Sequence, residues 1–200
     1  MITLVFKTIN MQKKSISWLF VLTILLVVFS SCSSLRRSGK ERVEVEKNEN
    51  IDAIGLGKEK KQLLQKKYAA LLNLPHGEIK NVMLFKLIDE WYGIPYKYGG
   101  KTKEGIDCSN FITLILKNVY NKNITANSTT LHQMCDSINT SDLKEGDLVF
   151  FKIEQEKISH LGFYLANGRF VHATSKKGIM INSLEETYYK KHFFSAGRLK

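Results

Sequence analysis

Residues 158–174 read ISHLGFYLANGRFVHAT: Leu161, Phe163 and Leu165, then Val171 and Ala173, alternate with other residues on either side of Asn167-Gly168. Side chains along a strand point alternately to opposite faces, so each run is a strand with one apolar face, and Asn-Gly marks a tight antiparallel turn. The stretch therefore reads as a hairpin. The length of its loop sets where the two histidines fall. A two-residue turn pairs Ala166 with Arg169 and puts His160 and His172 on opposite faces. A three-residue loop of Ala166, Asn167 and Gly168, with Gly168 left-handed, pairs Leu165 with Arg169 and brings both imidazoles to one face as diagonal neighbours. We expect the second geometry, because it also gathers the five apolar side chains into one layer.

Working outward, the strands expected are Asp147–Ile153, Ile158–Leu165, Arg169–Thr174, Gly178–Leu184 and Phe193–Leu199, separated by turn residues. Upstream the period changes. Cys108–Tyr120, CSNFITLILKNVY, is apolar on nearly every side and reads as a buried helix. A helix is also expected over 129–138, where Leu131, Met134, Cys135 and Ile138 follow helical spacing and make Cys135 a small core hydrophobe. Two earlier helices are expected, Glu59–Leu74 ended by Pro75 and Gly77, and Glu78–Tyr92. Helices followed by an antiparallel sheet of about five strands give an α+β fold.

The chain has 200 residues and a formal charge of +11, room for one core plus an export segment. That charge suits nucleic acid, an anionic membrane or substrate carboxylates equally, and does not choose among them. The N-terminus is more informative. Lys13 and Lys14 precede an apolar run from Trp18 to Phe29, too short to span a membrane, and then Ser30, Ser31 and Cys32. This reads as a signal peptide over 1–31, with the true start at Met1 or Met11. "VFSSC" at 28–32 resembles a bacterial lipobox, with Phe29 where Leu is usual, and implies a lipid on Cys32. Residues 32–58 are charged, of mixed sign and poor in aromatics, as a tether would be. The domain proper is then 59–200.

Exported proteins usually pair their cysteines, but with Cys32 lipidated and Cys108 kept as a thiol, Cys135 stays single. Cys108 opens its helix, where unpaired N–H groups and the helix dipole are expected to lower its pKa and favour the thiolate. A thiolate facing an imidazole, itself oriented by a further polar group, is an acyl-transfer arrangement. His160 is the expected base and His172 its orienter, with helix-start N–H groups available for an oxyanion. Fast alkylation of Cys108 would separate an activated thiol from an inert buried one. No metal is expected, since short ligand spacings such as Cys-x-x-Cys are absent.

"WYGIPYKYGG", "GIDCSNF", "LKEGDLVFF", "SHLGFYLANGRFVHAT" and "GIMINSL" occur in that order between about Leu84 and Arg198. Together they resemble the NlpC-type papain-like cysteine peptidases of bacterial cell walls. The resemblance implies a papain-like fold, Cys108 as nucleophile, His160 as base, His172 as the residue that orients it, and Tyr96 near the thiolate. Asp107 and Ser109 match positions that in some members meet the free amine of a stem peptide, while Asp107 reads equally as a helix cap. The implied substrate is peptidoglycan stem peptides or crosslinks, cleaved without cofactor by a monomer that binds no nucleic acid. The lipidated single-domain layout resembles the family's lipoprotein murein endopeptidases and implies a membrane anchor, facing the periplasm from the outer membrane. Two departures stand out: Asn110 where the family has Gly, adding bulk near the nucleophile, and no "PR" before the helix at 129–138. The rivals are an inactive wall-binding lipoprotein and an acyltransferase or amidase using the same thiol.

Overall fold

Leu64, Tyr68, Ala69 and Leu72 recur every three or four residues and are the buried stripe of helix α1, Lys58–Leu72. Asn73, left-handed at φ 52°, ends it, and the Leu74 N–H reaches back to the Ala69 carbonyl. The helix thus stops two residues earlier than the sequence suggests. Helix α2, Val82–Trp91, begins only after Asn81, whose side chain accepts from the Leu84 N–H at 3.2 Å. The rings of Tyr68 and Phe85 lock the two helices together, 4.8 Å apart. These details come from a computed structural model, which describes residues 57–153 and 156–200; Lys58–Lys200 forms one compact unit. The expected signal peptide, Cys32 and all but the end of the expected tether lie outside the described residues.

After a small hairpin, β1 (Lys101–Thr102) and β2 (Gly105–Ile106), comes helix α3, Cys108–Tyr120, closed by left-handed Asn121. Helix α4, Ser128–Gln133, leads into β3 (Cys135–Ile138), β4 (Leu148–Phe151), β5 (His160–Ala166), β6 (Arg169–Thr174) and β7 (Gly178–Ser183). A short helix α5, Thr187–His192, precedes β8, Phe193–Leu199. The sheet is six-stranded, ordered β3-β8-β4-β5-β6-β7, with every pair antiparallel. The class is the α+β expected, with one more strand.

That extra strand corrects the reading of 129–138. The helix ends at Gln133, and residues 135–138 pair with β8 from Cys135↔Leu199 to Ile138↔Ala196. Leu131 alone of the presumed stripe is fully buried; Cys135 is half-buried, its Sγ 3.1 Å from the Leu131 carbonyl. Backbone pairing with the C-terminal strand outweighs a helical spacing of only four residues.

One sheet face carries Leu148, Phe150, Leu161, Phe163, Val171 and Ala173, all fully buried. It meets α3 and α4, with Tyr120 against Phe163 and His132 edge-on to Phe150. The other face carries Val149, Phe151, Tyr164 and Phe170, covered by Tyr189 of α5.

The hairpin turns differently from expectation. Ala166 pairs with Arg169 across a two-residue Asn167-Gly168 turn, both residues at positive φ (48° and 72°). The three-residue loop is not formed. Between Tyr164 and Ala166 the register slips by one, so Leu165 is an extra residue in β5. Below this bulge Phe163 faces Val171, the register the longer loop would have produced. A bulge in the strand does the work assigned to the loop, and the two histidines still share a face.

Candidate active site

The helix that Cys108 opens is fixed at its first turn. Asp107 is the N-cap: its Oδ1 accepts from the Asn110 N–H at 2.7 Å and the Ser109 hydroxyl at 3.0 Å. Its Oδ2 accepts from the Gly99 N–H and the Asn110 side-chain amide, each at 2.9 Å. Four protein donors therefore surround this buried carboxylate, which favours the cap over the amine-binding role for Asp107. Asn110 turns back onto the cap rather than lengthening the cleft wall. Tyr96 is half-buried and bridges backbone-to-backbone with Ile106, two residues before Cys108. The Ile106 N–H to Pro95 carbonyl bond, 3.0 Å, holds that segment beside the helix start.

The same segment is anchored from its other side by β7. Gly93 donates to the Ile179 carbonyl at 2.8 Å and Ile179 donates to Ile94 at 3.0 Å. This approach needs Gly178, at φ 70°, where a Cβ would lie 2.1 Å from the Ile94 carbonyl oxygen.

Pairing between β5 and β6 stops at Phe163↔Val171, so the first residues of β5 do not pair with β6. The Leu161 N–H is free there to stabilise the Cys108 sulfur, together with the N–H groups of Ser109 and Cys108 itself. Cys108 is thereby set beside the residue following His160. His160 Nε2 lies 2.7 Å from His172 Nδ1, and His172 Nε2 lies 2.9 Å from Asn182 Oδ1. Asn182 donates in turn to Glu186 Oε2 at 2.8 Å. Phe151, Phe170 and Tyr189 pack around the imidazoles and exclude water. The structure thus pairs His160 with His172 and sets Cys108 against Leu161, the residue after His160, with Tyr96, Asp107 and Ser109 around the thiol's helix.

The electrostatics reverse one expectation. Burial, and next the Asp107 carboxylate, push the Cys108 thiol up to about 11, outweighing the three N–H groups that act in the other direction. Burial, with the neighbouring His172, pushes His160 down to about 3, and burial brings His172 to about 4. At rest the thiol and both imidazoles are therefore neutral, and Cys108 is not a preformed thiolate. A helix start contributes only partial charges, and desolvation of a full charge exceeds them.

Asn182 and Glu186 were not singled out from sequence. Asn182 sits opposite Phe170 in the β6–β7 register and so shares the histidines' face. The period-2 spacing from a chosen His172 pairing would have revealed it, but that register depends on the β6–β7 loop.

Residues 93–198 match the model of the NlpC/P60 family. A probable endopeptidase NlpC homologue from Haemophilus influenzae is 31% identical over 183 residues, covering 90% of this chain and 97% of that protein. The murein DD-endopeptidase MepS/murein LD-carboxypeptidase of Escherichia coli is 36% identical over 110 residues, 55% of this chain and 58% of that one. The crystal structure of the NlpC/p60 domain of the peptidoglycan hydrolase SagA superposes with a TM-score of 0.51 at 22% identity, covering 60% of this chain and all of that one. With a match across more than half its length and a full-length relative above 30% identity, the chain belongs to the NlpC/P60 family.

Proposed function

We propose that this protein is a cysteine peptidase that hydrolyses amide bonds in the peptide stems or crosslinks of peptidoglycan. The observation that carries the reading is the Cys108 thiol at a rigid helix start, held by three backbone N–H groups of which one belongs to Leu161, the residue next to the buried, paired His160. Family membership and the activities named for the relatives support the substrate class.

In this mechanism His160 uses Nδ1, because Nε2 is engaged by His172. As Cys108 Sγ attacks the scissile carbonyl carbon, its proton passes to His160, so thiolate and imidazolium arise only during the step. The carbonyl oxygen gains the negative charge, and N–H groups at the helix start stabilise it. Collapse breaks the C–N bond, and the imidazolium gives its proton to the departing amine. A thioester on Cys108 remains. Water, deprotonated by His160, then hydrolyses it, releases the carboxylate and restores the thiol.

In the same reading residues 1–31 export the chain, Cys32 carries lipid, and 32–58 tethers the catalytic domain, 59–200, to the outer membrane facing the periplasm. The supporting features are the charged-then-apolar N-terminus and the "VFSSC" run. Digestion of defined muropeptides followed by mass spectrometry tests the function. Cleavage at a stem or crosslink amide by the wild type, lost in Cys108→Ala, is expected; equal cleavage by both would refute the thiol mechanism.

A further inference from the structure

We propose that Asn182 and Glu186 are positioning residues that dictate where the protons of the two histidines sit, leaving Nδ1 of His160 unprotonated and able to act as the base. The proposal deepens the peptidase reading and rests on it for its catalytic consequence.

The argument is one of hydrogen-bond direction. Glu186 accepts the Ser183 N–H on Oε1 at 2.7 Å, which orients the carboxylate, and its Oε2 lies 2.8 Å from the Asn182 amide nitrogen. A carboxylate only accepts, so the NH2 end of Asn182 must face it and the amide oxygen must face the other way. That oxygen lies 2.9 Å from His172 Nε2 and also only accepts, so His172 carries its proton on Nε2. A neutral imidazole has one N–H, so His172 Nδ1 is an acceptor. The 2.7 Å contact with His160 then requires the proton on His160 Nε2, and Nδ1 is left as the base. Both rings are buried and held below the ordinary histidine range, which keeps the one-proton condition in force.

Glu186 itself is exposed, and the pull of its charge on His172 is smaller than the opposing effect of burial. What it transmits is polarity. Glu186→Gln preserves shape but breaks that logic. The Ser183 N–H keeps the amide oxygen, an NH2 group then faces Asn182, and the Asn182 amide must turn over. Its NH2 would meet His172 Nε2, moving the His172 proton to Nδ1 and the His160 proton to the same nitrogen that should accept from the thiol. Asn182→Asp added to Glu186→Gln restores the original direction, because a carboxylate again accepts from His172 and the Gln amide donates to it.

The test uses the full chain with 15N-labelled histidine, comparing wild type, Glu186→Gln and Asn182→Asp/Glu186→Gln. Imidazole 15N shifts should place the His160 proton on Nε2 in the wild type, on Nδ1 to a substantial extent in Glu186→Gln, and back on Nε2 in the double variant. On a muropeptide substrate kcat should fall at least about tenfold in the single variant, part of the hundredfold or more that a positioned base contributes, with KM nearly unchanged. It should recover in the double variant. Unchanged shifts and kcat in Glu186→Gln would overturn the proposal, as would a double variant no better than the single one in both readouts. The shifts need no substrate, so a protein that cleaves no muropeptide would sink the peptidase reading while the proton assignment is still decided.

Discussion

The resting protonation of Cys108 can be read from its chemistry with alkylating reagents, because only the thiolate reacts. With the thiol pushed up to about 11 by burial and the Asp107 carboxylate, about one molecule in ten thousand is thiolate at pH 7. An unperturbed thiol near 9 would be about a hundredfold more ionised. A more basic thiolate is intrinsically the better nucleophile, by roughly tenfold over two units, so the net expectation is a rate about tenfold below that of an ordinary cysteine. The assay follows iodoacetamide incorporation by mass spectrometry from pH 6 to 10 in a Cys32→Ala, Cys135→Ala background. Removing Cys135 matters, since burial and the nearby Asp147 and Asp136 push that thiol up to about 11 as well. The logarithm of the rate should climb with a slope near one across the whole range. A preformed thiolate–imidazolium pair would instead give a rate independent of pH, so a plateau below pH 8 would refute the reasoning. Slow alkylation at neutral pH is thus the expected behaviour of the active enzyme, and rapid alkylation ceases to be the mark of one.

Replacing His160 with Ala should lower kcat by about a hundredfold to ten-thousandfold, measured as muropeptide turnover with folding checked by circular dichroism; near-normal turnover would remove it as the base. His172→Gln should be milder, because the Gln amide offers one acceptor for His160 and one donor for Asn182; a loss equal to that of His160→Ala would contradict this. Gly178→Ala should destabilise by at least about 2 kcal/mol in urea unfolding, combining a left-handed alanine with a displaced Ile94, and should lower kcat as the Tyr96 segment shifts. Stability within 0.5 kcal/mol of wild type, an amount roughly at the noise of surface changes, would show that the close approach is relieved cheaply. Cys32→Ala should release a soluble protein that still cleaves muropeptides; membrane partition retained in that variant, with no lipid mass on the wild type, would refute the anchor.

The elements legible in the sequence were those whose own period is strong. Helix α3 starts at Cys108 and ends at Tyr120 as its apolar run indicates, and β5 to β7 fall within a residue or two of their alternating runs. What was not legible depended on partners far along the chain. β3 is a strand because β8, some sixty residues later, offers an edge, whereas four apolar positions at helical spacing are too few to hold a helix alone. The hairpin shows the opposite compensation. Its loop is one residue shorter than inferred, yet Leu165 bulges out of register, and the alignment of His160 with His172 is recovered. The inference had the right constraint, a shared apolar face, and the wrong place for the extra residue, because either site satisfies the same alternation. The Cys108 protonation state was misread for a different reason. A helix start and the adjacent Asp107 are visible in the sequence, but burial of the sulfur, the larger cause, exists only once α3 and β5 have packed. The same packing that denies Cys108 a resting charge also lowers His160, so in the proposed mechanism neither group is ionised until they exchange a proton. That mechanism thereby defers charge separation to the step in which the tetrahedral oxygen, the helix-start N–H groups and the imidazolium are present together to stabilise one another.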